Sequence, residues 1–92
     1  MNLEWLDLSF NNIETVEGLD SLTQLKDLTL FNNRISALGN MDSMTQLQVF
    51  SIGNNKLERR EDILYLRRFK KLNTLNLNGM LSEKFPEKYS QF

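Results

Sequence analysis

The chain has 92 residues, a formal net charge of −1, 40% hydrophobic residues and neither cysteine nor histidine. This length allows one small domain. The absence of cysteine excludes disulfides and thiolate metal sites, and the absence of histidine removes the commonest general base and metal ligand. The balanced charge gives no general reason to expect nucleic acid or an anionic membrane as a partner.

Hydropathy and cysteine content bear on the compartment. No apolar run approaches the roughly 20 residues that span a bilayer. The first residues, MNLEW, contain neither a basic region nor an apolar signal core. Small secreted domains usually need disulfides, and this chain can form none. We therefore expect a protein of the cytoplasm with no membrane as a partner.

One motif, LxxLxLxxNxL, recurs along the chain. Its copies begin at Leu3, Leu25, Leu47 and Leu72, so they start 22, 22 and 25 residues apart. The fourth copy is incomplete, because Met80 and Ser82 replace its asparagine and its last aliphatic residue. A fixed period of this length is typical of solenoids. We assign residues 1–82 to four repeats and residues 83–92 to an irregular tail or a partial cap.

Each repeat combines two apolar periods. Its second and third leucines, such as Leu6 and Leu8, alternate as in a strand with one buried face. The apolar residues that follow come at every third position, as in 3₁₀ geometry: Ile13, Val16, Leu19 and Leu22. Neither unit can bury its apolar edge alone, so the repeats must stack. The sequence predicts an α/β leucine-rich-repeat solenoid, with short parallel strands on the concave face and 3₁₀ or α return arms on the convex face.

The third return arm is longer than the others, and residues 60–72 contain no glycine or proline. Glu61 and Asp62 lie near its start and Lys70 and Lys71 near its end, where these charges would complement a helix dipole. We therefore predict an α-helix of about three turns in this arm.

The motif asparagines have a structural explanation. Where the chain leaves the strand, backbone groups inside the coil would lose their partners. A stacked ladder of asparagine carboxamides can supply both donors and acceptors there. We predict such a ladder at Asn11, Asn33 and Asn55.

The two ends of the array depart from the regular repeat. Leu3 opens a full repeat, whereas terminal solenoid repeats carry a capping outer face, and an open strand edge invites pairing. We expect either a segment of a longer protein or a partner that covers this edge. At the other end, four apolar residues either fold over the last coil or belong to a tail: Leu81, Phe85, Tyr89 and Phe92.

Outward-facing strand positions are the first candidate binding surface. They include two aromatic residues, Trp5 and Phe31, and two acids, Asp7 and Asp27. Exposed aromatic residues are enriched at interface hot spots, so we predict that this concave set binds a protein partner. The alternative for Trp5 is packing against a preceding repeat. Phe10, at the end of a strand, is interpreted mainly as a packing residue.

A cluster of basic residues is the second candidate. Residues 1–32 hold six acids and one base, whereas residues 59–71 hold six bases and two acids. We name these six bases the basic ridge: Arg59, Arg60, Arg67, Arg68, Lys70 and Lys71. An acidic protein surface is the favoured partner, because the arginine fork suits carboxylates. RNA is the weaker candidate, since Tyr65 is the only aromatic residue nearby that could stack on a base. The alternative without a binding role is that these six bases form a solvated helix face.

Catalysis finds little support. Asp7, Thr29 and Ser51 approach one another on the predicted concave face, but no base accompanies them. The sequence contains no glycine-rich phosphate loop and no metal-ligand spacing. We expect no enzymatic activity, no metal and no cofactor.

Three segments carry a family resemblance: LEWLDLSFNNIETVEGLDSLTQL at 3–25, DLTLFNNRIS at 27–36 and ILYLRRFKKLNTLNL at 63–77. The 22-residue repeats with IxxVxxLxxL return arms resemble the SDS22-like class of leucine-rich repeats, which is intracellular. The three segments together resemble the family of leucine-rich-repeat subunit 3 of the nexin–dynein regulatory complex, which links outer doublet microtubules in motile cilia. Beyond Leu77, NGMLSEKFPEKY departs from the Asn-Pro turn usual in such families.

This resemblance implies a non-enzymatic scaffold in the axoneme of a cilium or flagellum, which helps to link doublet microtubules and to regulate dynein-driven motility. Its implied partners are other protein subunits of that axonemal complex. The alternative function is that of an SDS22-like regulatory subunit, which positions a phosphatase or another enzyme.

Overall fold

Four short parallel strands form one sheet in the computed structural model, which describes residues 2–79. They are β1 (Trp5–Asp7), β2 (Asp27–Thr29), β3 (Val49–Ser51) and β4 (Thr74–Asn76). The sheet order β1-β2-β3-β4 follows the chain, and the register aligns the same motif position in every repeat. The predicted leucine-rich-repeat solenoid is confirmed.

The core lies between the strands and the return arms. The middle residues of β2 and β3, Leu28 and Phe50, are fully buried, as are the next inward residues Leu30 and Ile52. Their counterparts in the first coil, Leu6 and Leu8, are only partly buried. Burial of each strand therefore depends on a coil on either side, as expected for a stacked array.

The first two return arms contain isolated turns that step by three residues. The N–H of Leu22 donates to the carbonyl of Leu19 at 3.0 Å, and the N–H of Leu25 donates to that of Leu22 at 3.3 Å. The second arm repeats these bonds one coil later, between Met41, Met44 and Leu47. These are 3₁₀-type bonds, so the period of three reflects backbone turns rather than a continuous helix.

The third arm differs from its prediction. The helix α1 (Arg60–Tyr65) has only six residues and continues as a 3₁₀ turn over Leu66–Arg68. The prediction of about three α-helical turns was therefore wrong, and Lys70 and Lys71 lie beyond the helical end. The inward residues are three apart, and on an α-helix each such step would rotate them by about 60° away from the core. Tightening to 3₁₀ geometry keeps Leu66 and Phe69 buried.

Asparagine side chains connect successive coils at the end of each strand. Asn33 accepts from the N–H of Ile13 at 3.1 Å and donates to the carbonyls of Leu8 and Leu30, each at 3.0 Å. Asn55 makes the same set one coil later, and its oxygen accepts from the N–H of Ile35 at 2.9 Å. Asn11 is exposed and donates only to two carbonyls of its own coil.

The predicted tail lies outside the described residues. So do the two positions at which the fourth motif fails, Met80 and Ser82, and the four apolar residues expected to form a cap or tail, namely Leu81, Phe85, Tyr89 and Phe92. Within residues 2–79, no helix is long and apolar enough to cross a membrane.

Candidate functional site

The outward side of the sheet forms three columns of side chains. The strand register places Trp5 beside Asp27, and Asp7 beside Thr29. Backbone hydrogen bonds continue this pairing past the strands, where the N–H of Phe10 donates to the carbonyl of Phe31 at 3.0 Å. The columns read Trp5, Asp27, Val49, Thr74, then Asp7, Thr29, Ser51, Asn76, then Ser9, Phe31, Gly53, Asn78.

Trp5 is the largest exposed group in these columns. Its relative exposure is 67%, while the neighbouring Leu6 points inward and is partly buried. The structure therefore places Trp5 outward, at the start of β1. A rigid aromatic ring in this setting offers a large contact area at a low entropy cost.

The two acids of the set differ in their surroundings. Asp7 is exposed, and hydrogen bonds from the Ser9 hydroxyl and the Ser9 N–H lower its pKa. Asp27 is half-buried beside Trp5. Because Asp7 remains ionised at neutral pH, the first two strands present negative charge next to an aromatic surface.

Phe10 and Phe31 form an aromatic pair at the rim of this face. Their ring centroids lie 5.7 Å apart at an interplanar angle of 73°, an edge-to-face arrangement. Phe31 is half-buried, but Phe10 keeps a relative exposure of 71%. Phe10 thus contacts one ring and is otherwise open to solvent, so packing alone does not account for it.

The backbone of Phe10 is also unusual. It has a φ of 59°, in the left-handed region, and the equivalent positions of the later coils share that conformation: Asn32 at 59°, Asn54 at 54° and Gly79 at 86°. Asparagine and glycine adopt it readily, whereas a bulky side chain is an outlier there. Aligning the four repeats would have shown this, since Phe10 occupies a column otherwise held by turn-forming residues.

The basic ridge is partly occupied by contacts within the chain. Arg59 pairs with Asp62, Arg68 pairs with Asp42 at 2.6 Å, and the Lys71 amine donates to Gln46 at 2.7 Å. Arg60 begins α1 and is exposed. Within residues 2–79 the structure shows no ion pair at Arg67 or Lys70, and these two exposed cations remain available to a partner.

A small cluster connects the ridge to the second return arm. The Tyr65 hydroxyl donates to Asp42 at 2.6 Å and accepts from the N–H of Met41 at 3.1 Å, while the Arg68 guanidinium lies 4.2 Å from the centre of the Tyr65 ring. The hydrogen bonds from Tyr65 and Arg68 lower the pKa of Asp42. Burial and the bond to Asp42 raise the pKa of Tyr65. This cluster is a structural latch between two coils.

Asp62 has a structural role that the sequence did not reveal. It is 1% exposed, and one carboxylate oxygen accepts from the N–H of Leu38 at 3.0 Å. Arg59 holds the same carboxylate through two side-chain bonds. Its place in the first turn of α1 had suggested only a helix-dipole role.

The chemistry of these residues favours binding over catalysis. The register aligns Asp7, Thr29 and Ser51 on neighbouring strands, but the lowered pKa of Asp7 makes it a weak base. Among the described residues, no group of three acidic side chains could hold a metal ion.

Comparison with known proteins agrees with this architecture. Residues 2–43 match the family model described as "Leucine Rich repeats (2 copies)". Residues 2–79 have the fold of a leucine-rich-repeat solenoid. Leucine-rich-repeat arrays create extended concave surfaces, and proteins of this class generally act as protein-binding scaffolds. No curated protein matches the sequence significantly.

Two solved leucine-rich-repeat structures are similar to this solenoid. An internalin from Listeria monocytogenes has a TM-score of 0.77 and 26% identity over 98% of this chain. The Drosophila melanogaster SNF/U2A′ complex gives a TM-score of 0.71 and 29% identity over 91% of the chain. This solenoid spans 27% of the internalin chain and 56% of the chain in the SNF/U2A′ complex.

Proposed function

We propose that this chain is a non-enzymatic, protein-binding scaffold that serves as a subunit of the axonemal nexin–dynein regulatory complex. In this role it helps to link doublet microtubules and to regulate dynein-driven ciliary motility. The single observation that carries the binding role is the open concave face, on which Trp5 stands with 67% of its surface exposed.

The physical argument for binding rests on aromatic exposure. Monomeric proteins bury large rings when they can, because each buried aromatic side chain contributes about 1.5–3 kcal/mol. Trp5 and Phe10 leave this free energy unrealised, and Phe10 does so in a conformation that favours smaller residues. A partner seated on the concave face would bury both rings, which is the usual composition of an interface hot spot.

The axonemal assignment is supported by sequence. The segments FNNIETVEGLD and ILYLRRFKKL contain many residues that the repeat itself does not require, and both resemble the dynein regulatory subunit family. Their outward residues include Phe10 and Arg67, which lie on the two candidate surfaces. The partners in this proposal are other protein subunits of the complex, and the location is the cilium or flagellum.

The test is co-purification from motile cilia. A tagged chain expressed in ciliated cells should remain with salt-washed doublet microtubules, and its depletion should impair motility. Trp5→Ala should reduce that recovery, while Thr74→Ala, at the same column position of β4, should not. Quantitative loss of the tagged chain into the soluble fraction, with normal motility after depletion, would exclude the axonemal role.

A second candidate function is favoured by the 22-residue spacing of the first three repeats. This spacing resembles that of SDS22-like proteins, so a regulatory subunit that positions a phosphatase is the alternative. Stoichiometric recovery of a soluble phosphatase with the tagged chain, in place of axonemal subunits, would favour it.

A further inference from the structure

The charges on the concave face all have one sign. The three outward columns contain two charged residues, Asp7 and Asp27, and both are acidic. The single base among residues 1–32 is Lys26, whose amine lies 3.4 Å from the carboxylate of Glu4 and is thus already paired. A partner that covers the first two strands therefore meets uncompensated carboxylates next to exposed aromatic rings.

Two of the exposed aromatic residues, Trp5 and Phe10, belong to the first coil. Trp5 begins β1 and Phe10 comes three residues after its end, so at an extended rise of about 3.3 Å per residue their backbones are at most roughly 16 Å apart. Asp7 lies between them, and Asp27 lies beside Trp5 in the strand register. Beyond Phe31 the third column continues with Gly53, which is buried and lies against the backbone of Asn78, so no further side chain extends this aromatic rim.

The conformation of Phe10 is independent support for a binding role. The other three coils place asparagine or glycine at this left-handed position, and only the first coil carries a bulky ring there. Backbone strain of this kind is concentrated at binding sites, where the surrounding fold maintains it. Here the strained residue is also the most exposed large apolar side chain of the described chain.

We propose that the concave face of β1 and β2 docks an extended basic segment of a partner protein, in which every second residue faces the sheet and these facing residues are in turn apolar and arginine or lysine. This inference rests on the proposed scaffold function and specifies the partner that the concave face accepts. Apolar side chains contact the rings of Trp5, Phe10 and Phe31, and the cations pair with Asp7 and Asp27.

The geometry favours this partner over an acidic one. A cation near Trp5 gains both a carboxylate partner and a cation–π contact with the indole. An acidic segment on the same face would place like charges together without a compensating base. An extended segment matches the spacing, because side chains on one of its faces recur about every 7 Å and can reach successive groups along the strand.

The chain contains one tryptophan, Trp5, so its fluorescence reports directly on this surface. We would titrate the chain with a short synthetic peptide of the repeat Arg-Ser-Leu-Ser, the Arg-Leu peptide, which places Arg and Leu in turn on one face of an extended segment. A second peptide, the Glu-Leu peptide, has Glu in place of Arg. The Arg-Leu peptide should shift the Trp5 emission to shorter wavelength, and the Glu-Leu peptide should not. Equal affinity for the two peptides would overturn the proposal.

Matched charge variants locate the interaction. Asp7→Asn combined with Asp27→Asn should weaken Arg-Leu peptide binding by about tenfold and reduce its salt dependence. Glu14→Gln combined with Glu17→Gln removes the same charge from the first return arm and should leave the affinity unchanged. If the return-arm variant weakens binding as much as the concave variant, the attraction is general and the proposal fails.

A further comparison separates this inference from the proposed axonemal function. Asp7→Asn with Asp27→Asn should also reduce recovery of the tagged chain with axonemal subunits. If Trp5→Ala abolishes that recovery while the double Asp variant leaves it intact, the scaffold function stands and the basic-segment proposal is wrong. If the peptide results hold but the wild-type chain never binds axonemes, the axonemal assignment is wrong and the basic-segment proposal stands.

Discussion

The Asp62 carboxylate accepts a hydrogen bond from the backbone N–H of Leu38 at 3.0 Å, although 24 residues separate the two in sequence. The bond joins the start of α1 to the middle of the second return arm. Asp62 is buried, whereas Arg59, which also binds this carboxylate, is largely exposed. The pair therefore anchors the longer third arm to the array and orients α1.

Removing this carboxylate should destabilise the fold. Asp62→Ala leaves the buried N–H of Leu38 without a partner, at a cost of about 2 kcal/mol. Arg59 can return to water, so it adds little to that cost. For a domain of this size, the midpoint of thermal unfolding should fall by roughly 10 °C. Glu61→Ala, an exposed neighbour in the same helical turn, is the control and should change the midpoint by far less.

The asparagine ladder offers a second comparison within one protein. Asn33→Ala should cost about 3 kcal/mol, because it removes partners from the N–H of Ile13 and the carbonyls of Leu8 and Leu30. Asn11→Ala should cost less than about 1 kcal/mol, since Asn11 is exposed and water can replace it. Urea unfolding of both variants measures the difference, and equal losses would contradict the coil-bridging role of Asn33.

The repeat motif predicted the sheet because its physical requirements are local. Leu28 and Leu30 alternate with polar residues, so they lie on one face only if the segment is a strand. The next copy, with Phe50 and Ile52 22 residues later, buries its apolar face only when its strand lies beside the first. In the third arm two local patterns conflicted. Charges near Asp62 suggested a long α-helix, but the three-residue spacing of the core selected a shorter one.

The functional surface was predictable in part. The sequence identified Trp5, Asp7, Asp27 and Phe31 as outward residues, because strand alternation fixes their side. It did not identify the conformation of Phe10 from that residue alone, because the indication lies in the asparagine and glycine at the equivalent positions of the later repeats. Nor did it show that Arg59 and Arg68 are paired within the chain, because their partners come from contacts that only the folded arms create.

Changing Phe10 to the residue that its column favours should leave stability almost unchanged. Phe10→Asn relieves about 1 kcal/mol of left-handed strain and loses an edge-to-face contact with Phe31 of about the same size. Phe10→Ala loses the ring contact but relieves little strain, so it should be the less stable variant by about 1 kcal/mol. Urea unfolding compares the two, and an identical loss in both would show that Phe10 is unstrained.

The Tyr65–Asp42 latch makes stability depend on pH at both extremes. The folded pKa of Asp42 is lowered, so its contribution is present above its ordinary pKa and is lost as the pH falls through the folded value. The folded pKa of Tyr65 is raised, so its contribution is present below about pH 10 and is lost as the pH rises through the folded value.

The measurement for this latch is the unfolding free energy of wild type minus that of Tyr65→Phe, followed across pH. The difference should be largest in the neutral range and should decline in strong acid and above about pH 10. The variant keeps the ring packed against Phe69 but lacks the hydroxyl. A difference that stays constant with pH would show that the hydroxyl bonds are not linked to the ionisation of Asp42 or Tyr65.

The two neighbouring arginines of the basic ridge should have separable effects. Arg68 binds Asp42 and lies over Tyr65, so Arg68→Glu should lower the thermal midpoint of the isolated chain. Arg67→Glu combined with Lys70→Glu removes cations that make no described ion pair, so the midpoint should change little. If the ridge contacts an acidic protein surface, this double variant should nevertheless weaken assembly with partner subunits, most strongly at low ionic strength. If assembly is unchanged at every salt concentration, the basic ridge has only a structural role, through Arg59 and Arg68. Partner binding is then assigned to the concave face.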